Sequence, residues 1–305
     1  MLNDAHCHFF SQRFFDALAQ QKGVPAPQPD GQHDRAGAIV AQLGWEAPGT
    51  PETLADRWVS ELDRHGVARS SLIASIPRDE DSVAIAVARH PSRFVGYFMV
   101  DPTAEGAIVR ISETLARPGM RCVCLFPAMH RYSLHDERVL RIAELLAKKP
   151  STALFAHCGV LSVGVRKKLG LPNKFEMRFG NPLDLQLVAT TFPTLPIIVP
   201  HFGAGLLREA LMLADVCANV HLDTSSSNGW LKYHPGLTLA DVFRQALAVA
   251  GPQRLLFGTD SSFFPRGWQQ PIHDQQRAVA GDLGLAADAV SAIFGGNFTR
   301  LFPAP

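Results

Sequence analysis

Two histidines near the start of the chain, His6 and His8, are the first residues whose type and spacing could do chemistry. One residue separates them in the run MLNDAHCHFF, which is typical of a short strand. Side chains two positions apart on a strand point to the same face, so both imidazoles would enter one space. Two neighbouring imidazoles suit a transition metal, although His-x-His alone also fits two polar residues in a terminal segment.

Three further polar residues follow apolar, strand-like runs: His157 in LFAHCG, His201 in IIVPHFG and Asp260 in FGTDS. Singly, each histidine could be a hydrogen-bonded core residue and Asp260 could cap a helix. Together with the first pair they favour one site, because three imidazoles and a carboxylate suit Zn²⁺ or a comparable ion. Water at such an ion becomes a nucleophile near neutral pH. Asp260 could accept its proton, and His201 could act as a general acid–base or stabilise an oxyanion.

A fold must bring these distant strand ends together. Apolar runs typical of buried strands alternate with segments of helical spacing, which indicates a parallel sheet covered on both faces. Strands are predicted at residues 1–10, 70–76, 94–100, 120–126, 152–157, 196–201, 219–224 and 254–260. Helices are predicted at residues 11–21, from 50 to near 66, and at 79–90, 104–117, 136–148, 205–217 and 239–250.

Eight β/α units predict an α/β fold, a (β/α)8 TIM barrel, with a doubly wound open sheet as the alternative. Only the closed barrel makes strands 1 and 8 neighbours, so the ligand and barrel predictions support each other. We expect a single domain over residues 1–305, with inserted loops after strands 1 and 5. These loops, residues 23–49 and 159–182, are predicted to be irregular substrate loops, although the second could be a solvated basic loop.

The composition argues against several classes of protein. Lys and Arg number 29 against 28 Asp and Glu, which does not fit a nucleic-acid binder or a polybasic membrane surface. No apolar run reaches membrane-spanning length and the start lacks a signal-peptide pattern, so we expect a cytoplasmic protein. The five cysteines are odd in number and scattered, which argues against a disulfide framework. Cys122 and Cys124 are predicted to be buried and inert.

The ordered motifs D-x-H-x-H, FAHCG, PHFGAG, LLFGTD and GGNFTRLF resemble the amidohydrolase superfamily over nearly the whole chain. The most similar branch is the amidohydrolase-related group that includes aminocarboxymuconate-semialdehyde decarboxylase. This chain has His-x-His where the related decarboxylases have Glu-x-His. Binuclear members carry a carboxylated lysine at the end of strand 4, whereas the corresponding stretch CVCLFPAMH has no lysine. The resemblance therefore implies a barrel with one divalent metal ion, Zn²⁺ first and Mn²⁺ as the alternative.

By position, the resemblance also implies the role of each site residue. His6, His8, His157 and Asp260 correspond to metal ligands. His201 corresponds to the catalytic histidine over the metal-bound water. Dimers are common among such proteins, so a homodimer is left open.

Two reactions could use this site. A hydrolase would attack a carbonyl with the activated water, whereas a decarboxylase would protonate the carbon that loses CO₂ and needs a cation near the carboxylate. Arg266 is the first candidate for that cation because an arginine holds a carboxylate bidentately. Further candidates are Arg57, Arg166 and Arg178. Trp45 and other aromatic residues near the predicted strand ends favour an apolar, ring-shaped or conjugated substrate.

We therefore predict a mononuclear metal-dependent hydrolase of a small carboxylate-bearing or aromatic-derived molecule, with decarboxylation as the alternative. A non-catalytic barrel with a structural metal is a third interpretation, which predicts a closed coordination sphere and no turnover. Asp223, Thr224 and Ser225 in LDTSS could place hydroxyls at the pocket rim. His130 could contact substrate or be an ordinary loop histidine.

Overall fold

The computed structural model describes residues 1–25, 34–225 and 229–305. Nine strands alternate with helices along these residues. The strands are β1 (Leu2–Asp4), β2 (His8–Phe9), β3 (Val67–Ala74), β4 (Phe94–Val100), β5 (Met120–Leu125), β6 (Ala153–Ala156), β7 (Ile197–Val199), β8 (Val220–Asp223) and β9 (Leu255–Leu256).

Helices lie between successive barrel strands, except between β1 and β2. The α-helices are α1 (Gln12–Gln21), α2 (Arg35–Leu43), α3 (Pro51–Arg64), α4 (Glu80–Arg89), α5 (Ala107–Ala116), α6 (Pro127–His130), α7 (Glu137–Ala147), α8 (Gly164–Lys168), α9 (Gln186–Thr191), α10 (Leu207–Val216), α11 (Leu239–Ala250), α12 (Gln270–Asp282), α13 (Ala287–Ser291) and α14 (Asn297–Leu301). Short 3-10 turns lie at Met177–Phe179, Pro182–Leu185, Pro200–Gly203, Gly229–Tyr233 and Pro252–Arg254, and a π-turn lies at Ala292–Gly296. No helix of the described ranges is long and apolar enough to cross a membrane.

All strand pairs are parallel, and β1 and β2 both pair with β3, so they are two halves of the first barrel strand. The remaining strands pair in chain order from β3 to β9. The ring closes between the first and last strands, where Ala5 N donates to Phe257 O at 2.8 Å and Asp260 N donates to His6 O at 2.9 Å. The fold is therefore the predicted (β/α)8 TIM barrel, and the open-sheet alternative is wrong.

Local sequence signals begin and end the outer helices. The Thr50 side chain accepts a hydrogen bond from Thr53 N, and Pro51 occupies the first turn of α3. Thr238 and Asp241 form a capping box at the start of α11, which has the bounds predicted from the sequence. These caps satisfy backbone groups that a helix end otherwise leaves unpaired.

Apolar side chains fill two regions, the interior of the barrel and the space between the sheet and the helices. Tyr97, Cys122, Cys124 and Phe155 lie inside the barrel and are fully buried. Trp58 is the largest fully buried side chain of the outer region. All five cysteines are free and buried, as predicted for Cys122 and Cys124.

The predicted loop over residues 23–49 differs from the structure. Residues 26–33 lie outside the described residues, but residues 35–43 form helix α2 instead of irregular chain. Asp34 caps this helix by accepting a hydrogen bond from Gly37 N at 2.9 Å, and Gly44 ends it in the left-handed conformation. Ile39 and Val40 bury the apolar face. The second insertion, residues 159–182, contains the short helix α8.

Candidate metal centre

His6, His8 and Asp260 converge where the first and last strands of the barrel meet. Nε2 of His6 lies 3.4 Å from Nε2 of His8. Oδ1 of Asp260 lies 3.0 Å from Nε2 of His8 and 3.5 Å from Nε2 of His6. One ligand atom from each residue lies within 4.8 Å of the others. Two imidazole nitrogens and one carboxylate oxygen at this spacing suit a divalent transition ion.

Two polar groups behind the histidines orient these nitrogens. Nδ1 of His6 lies 2.7 Å from Oδ2 of Asp223, which is fully buried at the end of β8. Nδ1 of His8 lies 2.8 Å from Oγ of Ser75, just beyond β3. With both Nδ1 atoms engaged, Nε2 of each ring remains for a ligand bond.

The carboxylate of Asp223 also favours the protonated form of His6. Burial alone lowers the pKa of His6, but the charge of Asp223 and its hydrogen bond outweigh burial and raise that pKa. A metal ion would take the place of this proton. The sequence predicts that LDTSS places hydroxyls at the rim of the pocket. In the structure, the Asp223 carboxylate of this run instead lies behind the imidazole of His6, a metal-ligand candidate.

His201 lies beside this cluster on a strained turn. Its backbone has φ 56° and ψ 30°, and Phe202 and Ala204 are also left-handed. Nδ1 of His201 lies 2.9 Å from Oγ of Ser225 and 3.2 Å from the Ser225 carbonyl oxygen. With its proton on Nδ1, His201 donates to this carbonyl oxygen, and its Nε2 is then a hydrogen-bond acceptor. The same Ser225 Oγ lies 2.9 Å from Nδ1 of His6.

His157 completes the ring of histidines but lies outside the close group of three. It directly follows β6, its ring centroid is 5.3 Å from that of His201, and it stacks on Phe126 at 5.4 Å. Its Nδ1 is buried and has no hydrogen-bond partner among the described residues. An unsatisfied buried nitrogen is costly, so a ligand for this ring is the simplest account of it.

The protonation states of these groups suit a metal. Burial disfavours the charged form of Asp260, but the hydrogen bond from His8 and the nearby His6 and His201 outweigh it and hold its pKa well below the ordinary value. Burial, reinforced by neighbouring histidines, lowers the pKa of His157 well below its ordinary value. Burial also lowers the pKa of His201. An ionised Asp260 beside the neutral imidazoles of His157 and His201 suits a cation.

All five predicted chemical residues line one cavity of about 220 Å³, named here the metal cavity. Most of its other walls are apolar. The apolar lining consists of Phe10, Phe14, Trp45, Met99, Phe126, Met129, Leu161, Val163 and Val165. Ser75, Ser162 and Ser262 supply hydroxyls. The predicted contact residue Trp45 is therefore in the wall of the cavity, on the side of the first insertion.

The predicted substrate arginines lie elsewhere. Arg266 and Arg57 line another cavity of about 880 Å³ between α3 and the loop after β9, named here the outer cavity. The only lining residue that it shares with the metal cavity, among the described residues, is Trp45. Arg178 pairs with Glu176 at 2.6 Å, and its side chain is 72% exposed. Neither Arg266 nor Arg178 lines the metal cavity. The conformations of long loops decide these placements, and residue spacing along the chain does not reveal them.

A family model described as amidohydrolase matches residues 4–304. The fold and the site thus define the class of this protein, and the chain belongs to the amidohydrolase family. One curated relative, protein fluG of Emericella nidulans, is 26% identical over 170 residues, which are 54% of this chain. The aligned part is only 18% of that protein's length.

Solved structures share the barrel over its whole length. A 5-carboxyvanillate decarboxylase from Novosphingobium aromaticivorans, with bound manganese and 3-methoxy-4-hydroxy-5-nitrobenzoic acid, superposes with a TM-score of 0.66 at 17% identity. The match covers 99% of this chain and 97% of that one. A probable 2-pyrone-4,6-dicarboxylic acid hydrolase from Acinetobacter baumannii, with citric acid bound, has a TM-score of 0.61 at 13% identity and covers 99% and 98%. These similarities show the fold.

Proposed function

We propose that this protein is a mononuclear metal-dependent hydrolase of a small organic molecule, and that the reaction takes place in the metal cavity. The observation that carries the proposal is the position of His201 beside the His6, His8 and Asp260 cluster. A metal-ligand set and a neutral imidazole with a free Nε2 in one apolar-walled cavity are the parts that water-dependent hydrolysis needs.

The donor set supports a divalent cation held by His6, His8 and Asp260, with His157 as the fourth ligand. When bound, such a cation supplies Lewis acidity and lowers the pKa of a coordinated water. The family resemblance and the nitrogen-rich donor set favour Zn²⁺, with Mn²⁺ as the alternative. Asp223 and Ser75 would keep the imidazoles of His6 and His8 oriented toward the ion.

His201 carries a proton from the attacking water to the leaving group. Its Nδ1–H is held by the Ser225 carbonyl, so Nε2 accepts the proton as the oxygen of water bonds to the substrate carbonyl carbon. The bond from that carbon to the leaving group then breaks, and Nε2 returns the proton to the departing atom. Ionised Asp260 accepts a hydrogen bond from the attacking water. The apolar walls exclude bulk solvent, which strengthens each of these interactions.

The charge of the cavity wall favours an uncharged reacting group. No lysine or arginine lines the metal cavity in the described ranges, and these ranges contain every Lys and Arg of the sequence. A carboxylate at the reaction centre would therefore find no guanidinium or ammonium beside it. An ester, lactone or amide carbonyl, which is neutral, suits such walls.

Decarboxylation is the second candidate, because a decarboxylase with bound manganese has the highest structural similarity reported above. In that reaction Nε2 of His201 first takes up a proton from solvent. The carbon–carbon bond to the carboxylate then breaks, CO₂ leaves with its two oxygens, and Nε2 of His201 delivers that proton to the carbon left behind. The ion would be the counter-charge to the departing carboxylate.

Metal content and isotope incorporation test the two reactions. Purified wild type should bind about one zinc or manganese per chain, and His6→Ala should lose both metal and turnover. Esters, lactones, amides and aromatic acids are screened with the loaded protein. Heavy oxygen from labelled water in the product acid supports hydrolysis, whereas deuterium on a product carbon together with CO₂ release supports decarboxylation. Turnover by demonstrably metal-free protein would overturn both mechanisms.

A further inference from the structure

A second cavity adjoins the metal cavity on the side of the two insertions. Its volume is about 430 Å³, and it is named here the cationic cavity. Four residues form a common wall because they line both spaces: Phe14, Ser75, Met129 and Val163. Ser75 is also the residue that orients His8. A molecule that fills the metal cavity could therefore extend past this wall into the second space.

Three cations line this cavity. Arg131, Arg166 and Lys174 are in its wall, and among the described residues no aspartate or glutamate lines it. Across the described part of the chain, none of the three has a carboxylate within ion-pair distance. Other arginines behave differently: Arg57 pairs with Glu46 and Arg178 pairs with Glu176. Three unneutralised cations around a concave space attract an anion.

Two hydrogen bonds hold the guanidinium of Arg166 in place and use only some of its N–H donors. One terminal nitrogen donates to Oε1 of Gln21 in α1, and the other donates to the Pro172 carbonyl oxygen. Its Nε is buried and has no partner in the described residues. Nδ1 of His130, in the same wall, is also buried and unpartnered. Buried polar atoms are costly when unsatisfied, so this wall of the cavity retains unused hydrogen-bonding capacity.

The rim of the cavity is fixed by the chain itself. Arg131, which follows α6, donates to the Lys174 carbonyl oxygen at 3.0 Å, so the two cationic residues come from loops tied together. Arg131 has φ 60°, a left-handed backbone that a non-glycine residue rarely adopts. Phe175 lies beneath the Arg166 guanidinium at 5.7 Å. The charges are thus presented by a preorganised wall.

We propose that the cationic cavity is a subsite for a carboxylate that the substrate carries away from its reacting bond. Arg166 is the central donor, with Arg131 and Lys174 at the rim. The inference rests on the proposed hydrolysis in the metal cavity and names its substrate class: an elongated molecule with a neutral hydrolysable group at one end and an acid at the other. A planar guanidinium suits a carboxylate because two parallel hydrogen bonds can form.

Calorimetry with unreactive probes tests the subsite without requiring turnover. Linear dicarboxylates from succinate to suberate are titrated into zinc-loaded protein, each beside the monocarboxylate of equal chain length. We expect one dicarboxylate to bind about tenfold more tightly than its monocarboxylate, since a hydrogen bond to a charged group contributes this order of affinity. Arg166→Gln should abolish that difference. Arg178→Gln removes a cation of the same insertion outside the cavity and should leave it unchanged.

Three outcomes would overturn the subsite: equal affinity for paired mono- and dicarboxylates in wild type, an unchanged preference in Arg166→Gln, or loss of the preference in Arg178→Gln. Partial retention in Arg166→Lys supports it, because the positive charge remains while the planar fork is lost. A dicarboxylate preference without hydrolysis of any ester or amide would refute the proposed function and leave the subsite standing. If the protein hydrolyses substrates with and without a distal carboxylate equally well, and paired mono- and dicarboxylates bind with equal affinity, only the subsite would be refuted.

Discussion

The metal cavity and the outer cavity show that size does not identify a functional site. The outer cavity is about four times larger, at 880 Å³ against 220 Å³. Most of its charged groups, however, pair with one another: Arg57 pairs with Glu46 at 2.6 Å, and Arg64 pairs with Glu61 at 3.0 Å. Arg266 is the exception, with no carboxylate of the described residues within ion-pair distance. In the metal cavity, polar groups instead converge on one point and leave a buried nitrogen of His157 unpaired.

The charges of the outer cavity hold α3 against the loop after β9. Glu61 accepts a hydrogen bond from Trp268 N at 2.9 Å, and the Arg57 guanidinium lies 4.7 Å from the Phe263 ring centroid. These contacts are internal to the protein and need no ligand. The comparison teaches that unsatisfied, converging polar atoms are a better sign of chemistry than volume or charge count.

His201→Ala should give the largest effect among the tests of this comparison. Losing the proton carrier should lower kcat by roughly 10²–10⁴ while metal content stays at the wild-type level. Elemental analysis and kinetics on the same preparation measure both. His135→Ala removes a histidine that is 56% exposed and should match wild type. Loss of metal together with activity would instead make His201 a ligand.

Asp223→Asn should have an intermediate effect. The amide keeps the shape of the side chain but removes the charge that favours a cation at His6, so metal affinity should fall about 10–100-fold. Competition with a chromophoric chelator measures the dissociation constant. Asp56→Asn alters a carboxylate that pairs with Arg89 on the surface, and it serves as the matched control. An unchanged metal affinity in Asp223→Asn would contradict the orienting role of this residue.

Arg266→Gln should have the smallest effect. Arg266 is exposed and lines only the outer cavity, so activity should stay within about twofold of wild type. Steady-state kinetics with the best substrate found for the wild type provides the measurement. A rise in KM of tenfold or more would show that substrate reaches the outer cavity, and the distinction between the two cavities would fail.

The barrel, and the convergence of the five polar strand-end residues on one cavity, could be predicted from sequence for a physical reason. Strands buried on both faces must be almost entirely apolar, so a histidine or aspartate at their carboxyl ends is conspicuous. The closed ring then brings His6 and Asp260 together whatever the connecting loops do. Helical spacing, a separate signal, predicted the bounds of α11 and the start of α3.

Two features could not be predicted. Helix α2 lies in a segment rich in Gly, Pro and Gln, and its formation depends on the burial of Ile39 and Val40, which local sequence does not show. Which arginine lies near the metal cavity depends on loop geometry. Arg166 lines the adjoining cavity, whereas Arg266, the first candidate from the sequence, lines the outer cavity. Spacing along a chain fixes directions within a strand but not within a long loop.

Closure of the ring has a consequence for how the protein is made. The Asp4 carboxylate accepts hydrogen bonds from Thr259 and Trp268, so residues more than 250 positions apart in sequence depend on each other. A ribosome must therefore have produced β9 and the residues after it before the metal-ligand candidates can come together. Until then the first strand has an unpaired edge. His6 lies on the first barrel strand and Asp260 follows the last, so an ion bound between them would stabilise the closed barrel. The metal supply in the cell would then affect the lifetime of the folded chain.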